Sequence, residues 1–140
     1  GHTLLISLPT GGGKSLVTQL LASVSEGLTV VIVPTIALAL DQYHAARHNL
    51  TDGAEIYCYR GELSEIERST IIKALKDKKA RILFTSPEAI LKNPELRRIL
   101  DAALSQCCSG RSTCCSGLGR VFQTRLSDIL YRAQKVEARV

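Results

Sequence analysis

The stretch Leu8-Pro9-Thr10-Gly11-Gly12-Gly13-Lys14-Ser15 limits what this chain can be more than any other. An apolar run, Thr3-Leu4-Leu5-Ile6, precedes it, and Leu16, Val17, Leu20, Leu21 and Val24 follow at helical spacing. The pattern predicts a strand, a loop and a helix in that order. Consecutive glycines reach backbone angles closed to residues with a Cβ. Several N–H groups can then converge on one concavity, to which the next helix adds its positive amino end. A polyphosphate fits such a cradle. In this reading Thr10, Gly11, Gly12 and Gly13 form the loop, Lys14 reaches the β and γ phosphates, and the Ser15 hydroxyl ligates Mg²⁺. Leu8 stands where the pattern G-x-x-x-x-G-K-[ST] has its first glycine, and the plain alternative is a Gly-rich turn.

Further along, Leu28 to Pro34 reads as a continuous buried strand, and Thr35 can cap a helix that begins at Ile36 and ends near Asn49 to Gly53. Glu55 to Arg60 is a third strand. Ser64 and Glu67 have capping-box spacing and open a helix whose Ile71, Ile72 and Leu75 face inward. Arg81 to Thr85 is a fourth strand. Ser86-Pro87-Glu88 and Asn93-Pro94-Glu95 each carry a cap, a proline at the first helical position and an early acid, so two short helices follow, the second to about Leu104. Four alternations of strand and helix predict an α/β fold, a parallel sheet with helices on both faces. Ligands in such sheets bind at the carboxyl ends of the strands. Three polar clusters lie there: Thr10 to Ser15, Pro34-Thr35, and Thr85-Ser86-Pro87-Glu88. Helix capping alone would also account for Thr35 and Ser86.

Charge adds little to this. The net +5 of the 140 residues is uneven: residues 1–110 hold 12 Lys and Arg against 11 Asp and Glu, and residues 111–140 hold six against two. Basicity therefore belongs to the tail and does not by itself argue for nucleic acid. With no secretory h-region, no apolar run near 18 residues and no lipidation motif, a cytoplasmic protein without membrane contact is expected. The opening Gly1-His2 and the absence of Met suggest an internal piece of a longer chain.

Taken together, these residues resemble superfamily 2 helicases, and among them the RecQ-like DNA helicases. Over residues 1–104, Pro9 to Ser15 is similar to motif I of that family, Pro34 to Gln42 to motif Ia, and Thr85 to Glu88 to motif Ib. The resemblance implies a RecA-like, P-loop NTPase domain that binds ATP and Mg²⁺ through Thr10 to Ser15, with Lys14 catalytic. It implies that Pro34, Thr35, Thr85 and Ser86 grip a DNA single strand or forked duplex, and that a second RecA-like lobe supplies an arginine finger. DEAD-box RNA helicases share Pro34-Thr35 and are the near alternative. A non-hydrolysing regulatory module and a small-molecule kinase are the others.

The family also implies an apolar strand ending in Asp-Glu-Ala-His, whose acids hold Mg²⁺ and position water. This chain has no Asp-Glu dipeptide, so the piece alone should be inactive. Residues 105–140 instead hold four of the five cysteines, at Cys107, Cys108, Cys114 and Cys115. Adjacent cysteines lack metal-ligand spacing, and a disulfide knot does not suit a cytosolic chain. The ordinary reading is a flexible linker followed by a basic amphipathic helix with Phe122, Leu126, Ile129, Leu130, Ala133 and Val136 on one stripe. The genetic code offers another. Codons permitted for Cys107 to Gly119, read one nucleotide later, can spell Val-Val-Val-Asp-Glu-Ala-His-Ala-Val-Gln-Asp-Trp-Gly. The tail is accordingly expected to be a frameshifted reading that leaves a strand edge unpaired.

Overall fold

In the computed structural model of the chain, the described residues are 4–5, 13–24, 27–50, 53–107, 113–116 and 120–121. Strands β1 (Leu4–Leu5), β2 (Thr29–Ile32), β3 (Glu55–Tyr59), β4 (Ala80–Thr85), β5 (Thr113–Ser116) and β6 (Arg120–Val121) form one sheet in the order β1-β6-β5-β2-β4-β3. The four strands β5, β2, β4 and β3 are parallel, as the alternating pattern requires, and β6 runs against both of its neighbours. Helices α1 (Lys14–Val24), α2 (Ile36–Asn49), α3 (Glu65–Lys76), α4 (Pro87–Lys92) and α5 (Pro94–Cys107) join them.

The faces follow from chain direction. From β2 the chain crosses β4 to reach β3, then steps back to β4. Two crossovers of the same hand in opposite directions put α2 and α3 on opposite faces. The period-two alternation of the strands matches that division. Val30, Ile32, Tyr59 and Leu83 pack with Ile71, Ile72, Leu75, Ile90, Leu96 and Leu100 from α3, α4 and α5. Val31, Val33, Ile56, Ile82 and Phe84 pack with Ala22, Ala39 and Ala46 from α1 and α2. Central strands covered on both sides carry near-continuous apolar runs, as Val30-Val31-Ile32 in β2 and Ile82-Leu83-Phe84 in β4 do.

The caps fall where the sequence puts them. Thr35 accepts from the Leu38 N–H at 3.3 Å, and the α3 capping box is complete, with Glu67 N–H donating to the Ser64 hydroxyl and the Glu67 carboxylate accepting from Ser64 N–H. Those bonds hold the Glu67 carboxyl below its usual range, although it is exposed. At the other end of α3, Lys78 takes a left-handed φ of 57°. Its N–H donates to Leu75 O and that of Lys79 to Ala74 O, the paired bonds of a Schellman stop, with lysine where glycine is usual.

Three features differ from or go beyond the sequence pattern. Of the five apolar residues at helical spacing in α1, Leu16, Leu20 and Val24 are 55%, 56% and 78% exposed. The helix turns Gln19 and Ala22 inward instead, because the Gln19 amide oxygen accepts from Asn49 Nδ2 of α2 at 3.0 Å and the Ala22 carbonyl accepts from Arg81 of β4. Secondly, α5 continues past Leu104 to Cys107. Thirdly, the edge of β2 is paired: β5 runs parallel to it with Thr29 opposite Thr113 and Ile32 opposite Ser116. An open strand edge attracts any chain able to supply a ladder, and Thr113 to Ser116 supplies one here. The amphipathic stripe from Phe122 to Val136 lies outside the described residues.

Candidate nucleotide and nucleic-acid site

The Gly-rich stretch opens α1. Gly13 precedes the helix with φ of 77° and is exposed, while Leu16 N–H and Val17 N–H both donate to its carbonyl. Among the described residues, an added Cβ would meet only Leu16 Cβ, at 4.0 Å. Glycine suits this position for its backbone angle. With the helix ladder starting from the Gly13 carbonyl, the N–H groups of Lys14 and Ser15 have no acceptor within the helix and point outward from its amino end. Such an end suits an anion, and the half-buried Ser15 stands beside it. Thr10, Gly11, Gly12 and the Lys14 side chain lie outside the described residues. What is described fits a nucleotide phosphate.

The other predicted residues come together on the carboxyl edge of the sheet. Ile32 is paired with Thr85, and Val33 N–H donates to Thr85 O at 3.0 Å, which brings the Pro34-Thr35 corner beside the Thr85-Ser86 corner. Their exposure differs. Pro34 and Thr35 are exposed, with the Thr35 hydroxyl at the start of α2. Thr85 has 0% and Ser86 4% of its surface in solvent. The Ser86 hydroxyl accepts from Ala89 N–H at 3.3 Å and so caps α4. The Thr85 hydroxyl finds no hydrogen-bond partner among the described residues. Of the four side chains expected to meet a nucleic-acid strand, the structure thus presents Pro34 and Thr35 and holds back Thr85 and Ser86. The sequence marks a hydroxyl at a strand end, but the pleat and the neighbouring helices decide whether it reaches water.

Beside this edge the exposed Glu88 pairs with Lys92 at 2.6 Å, and the hydrogen bond and charge of Lys92 hold the Glu88 carboxyl below its usual range. On β3, burial pushes the Cys58 thiol up, so it stays protonated at neutral pH. Two residues of this edge have no signal in the sequence as partners. Asn93 Nδ2 donates to the hydroxyl of Tyr59, the last residue of β3, from 34 positions away. Among the described residues there is no group of three or more His, Cys, Asp or Glu able to hold a metal, and no helix is long and apolar enough to cross a membrane.

The chain is similar to known proteins over this same region. The family model described as DEAD/DEAH box helicase matches residues 1–106. The ATP-dependent DNA helicase RecQ of Synechocystis sp. is 40% identical over 90 residues, which are 64% of this chain and 18% of that protein. The ATP-dependent DNA helicase Q5 of Rattus norvegicus is 36% identical over 87 residues, 61% of this chain and 9% of that protein. A Caenorhabditis elegans protein with an ATP-dependent DNA helicase Q1 name is 32% identical over 130 residues, 88% of this chain and 20% of its own length. The chain spans about a fifth or less of the curated relatives it matches.

Proposed function

The chain belongs to the DEAD/DEAH box helicase family, and on that premise we propose that it is the front part of the first RecA-like lobe of a RecQ-like, ATP-dependent DNA helicase acting inside the cell. One observation carries the reading: the Pro34-Thr35 and Thr85-Ser86 corners are adjacent at the carboxyl edge of the sheet, in a chain whose first helix has an anion-suited start at Gly13. The RecQ-type names of the relatives favour DNA over RNA as the strand. Here Thr10 to Ser15 hold the nucleotide, Lys14 meets its outer phosphates, and the Ser15 hydroxyl is the ligand offered to Mg²⁺. Bound Mg²⁺ and ATP supply the phosphoryl chemistry. The chain binds and orients them, and a second lobe is needed for turnover. Thr35 is the exposed contact to a strand phosphate, and Thr85 and Ser86 shape the corner beside it.

Phosphate contacts carry no base information, and this gives the test. Fluorescent oligo(dT), oligo(dA) and a mixed-sequence strand are titrated into the chain at low salt, where such contacts are strongest. Thr35→Ala is expected to weaken all three by the same factor. A loss confined to one sequence would mean base readout and would overturn the placement.

For residues 105–140 we propose a reading in a foreign frame, supported by the missing Asp-Glu pair and the codon compatibility of Cys107 to Gly119. An evolved tail is the second reading, favoured by the pairing of β5 with β2 and by the nematode alignment, which at 88% of the chain reaches beyond residue 106. The nucleotide sequence across codon 107 decides between them. The frame one nucleotide later is expected to stay open and to encode Asp-Glu-Ala-His; a stop codon there would remove the proposal.

A further inference from the structure

Three elements meet at Asn93. Its backbone N–H closes α4 on Ile90 O at 3.3 Å, and its Oδ1 opens α5 by accepting from Leu96 N–H at 2.9 Å. Its remaining donor, Nδ2, goes to the Tyr59 hydroxyl at the carboxyl end of β3. Tyr59 is buried, and its backbone lies opposite Thr85 in the sheet. The short helix α4 is therefore fastened twice. Ser86 holds its first turn and Asn93 its last, and Asn93 is in turn tied to the strand beside Thr85.

A helix of six residues has little ladder of its own to fix its direction. Packing through Ala89 and Ile90 gives it a floor, but apolar contact is non-directional and permits rocking. A hydrogen bond from the half-buried Asn93 to the hydroxyl of the buried Tyr59 is directional and costly to leave unmade, so it selects one orientation. We propose that the Tyr59–Asn93 pair is a positioning device. It fixes the tilt of α4 and so the corner Thr85-Ser86 beside Pro34-Thr35, without either residue touching the strand that the edge would hold. This rests on the nucleic-acid reading of that edge given above.

The test uses neutral substitutions. Tyr59→Phe removes the hydroxyl alone; Asn93→Ser keeps a capping oxygen for Leu96 N–H but is too short to reach Tyr59. Ile72→Val, which trims the core under α3 and costs a similar amount of stability, serves as the control for a merely structural effect. Affinity for oligo(dT) is read by fluorescence anisotropy on the 140-residue chain. Tyr59→Phe and Asn93→Ser should each weaken binding about two- to tenfold, the double variant no more than either alone, and Ile72→Val should leave it unchanged. The inference is overturned if both single variants bind like the unaltered chain, if their losses multiply in the double variant, or if Ile72→Val loses as much. No binding by the unaltered chain would overturn the functional reading and this inference together, so the two failures are separable.

Discussion

Phe84→Ala is expected to remove about 3–5 kcal/mol of folding stability. Phe84 is among the largest fully buried side chains, on the central strand β4, between Val31 of β2 and Cys58 of β3. Its ring lies in the cluster shared with Ala39 and Ala46 of α2 and Ala22 of α1. The small residues Ala22, Ala39 and Ala46 are too short to fill the space that the ring would leave. A cavity follows, with the lost transfer free energy of an aromatic group added to it. Against a total stability of about 5–15 kcal/mol for a domain of this kind, the change is about a fifth or more. Urea unfolding should show a lower midpoint with an unchanged slope. A shift worth less than about 1 kcal/mol would mean that α2 collapses onto the sheet, and that this face is not closely packed.

Lys14→Ala should weaken ATP binding by about 1.5–3 kcal/mol, the worth of a hydrogen bond to a charged group, or about ten- to a hundredfold in affinity. The expectation comes from position. Lys14 is the first residue of α1, directly after the left-handed Gly13, where a lysine lies next to the outer phosphates of a nucleotide held on the helix end. Folding should hardly change, because the first turn of a helix tolerates alanine well. Titration of a fluorescent ATP analogue, with thermal unfolding measured alongside, separates the two effects. Equal affinity in the variant and the unaltered chain would show that the glycines form a turn and not a cradle.

Much of the architecture was legible because its signals are local. Ser64 with Glu67, Ser86-Pro87-Glu88 and Asn93-Pro94-Glu95 mark helix starts within four residues of chain, and the structure places α3, α4 and α5 on them. The continuous apolar runs that become β2 and β4 likewise need no distant partner to be recognised. The larger failures are nonlocal. Nothing near Gln19 announces that Asn49 waits 30 residues ahead, and that one bond decides which side of α1 turns inward. Thr113-Cys114-Cys115-Ser116 has neither an apolar run nor alternation, and becomes a strand because the edge of β2 is there to pair with. At the candidate site, the strand-end hydroxyls were found from sequence, whereas the burial of Thr85 and Ser86 and the link from Tyr59 to Asn93 depend on how three elements converge.

The outward row of Leu16, Leu20 and Val24 governs how the chain behaves in bulk. Four residues is slightly more than one helical turn, so the three side chains form a nearly straight seam along α1 instead of separate spots. Water structured around such a seam is released when two copies meet, and this gain grows on warming. Solutions of the folded chain should therefore be clearest in the cold and turn cloudy on warming while the sheet is still intact, and they should clear again on cooling.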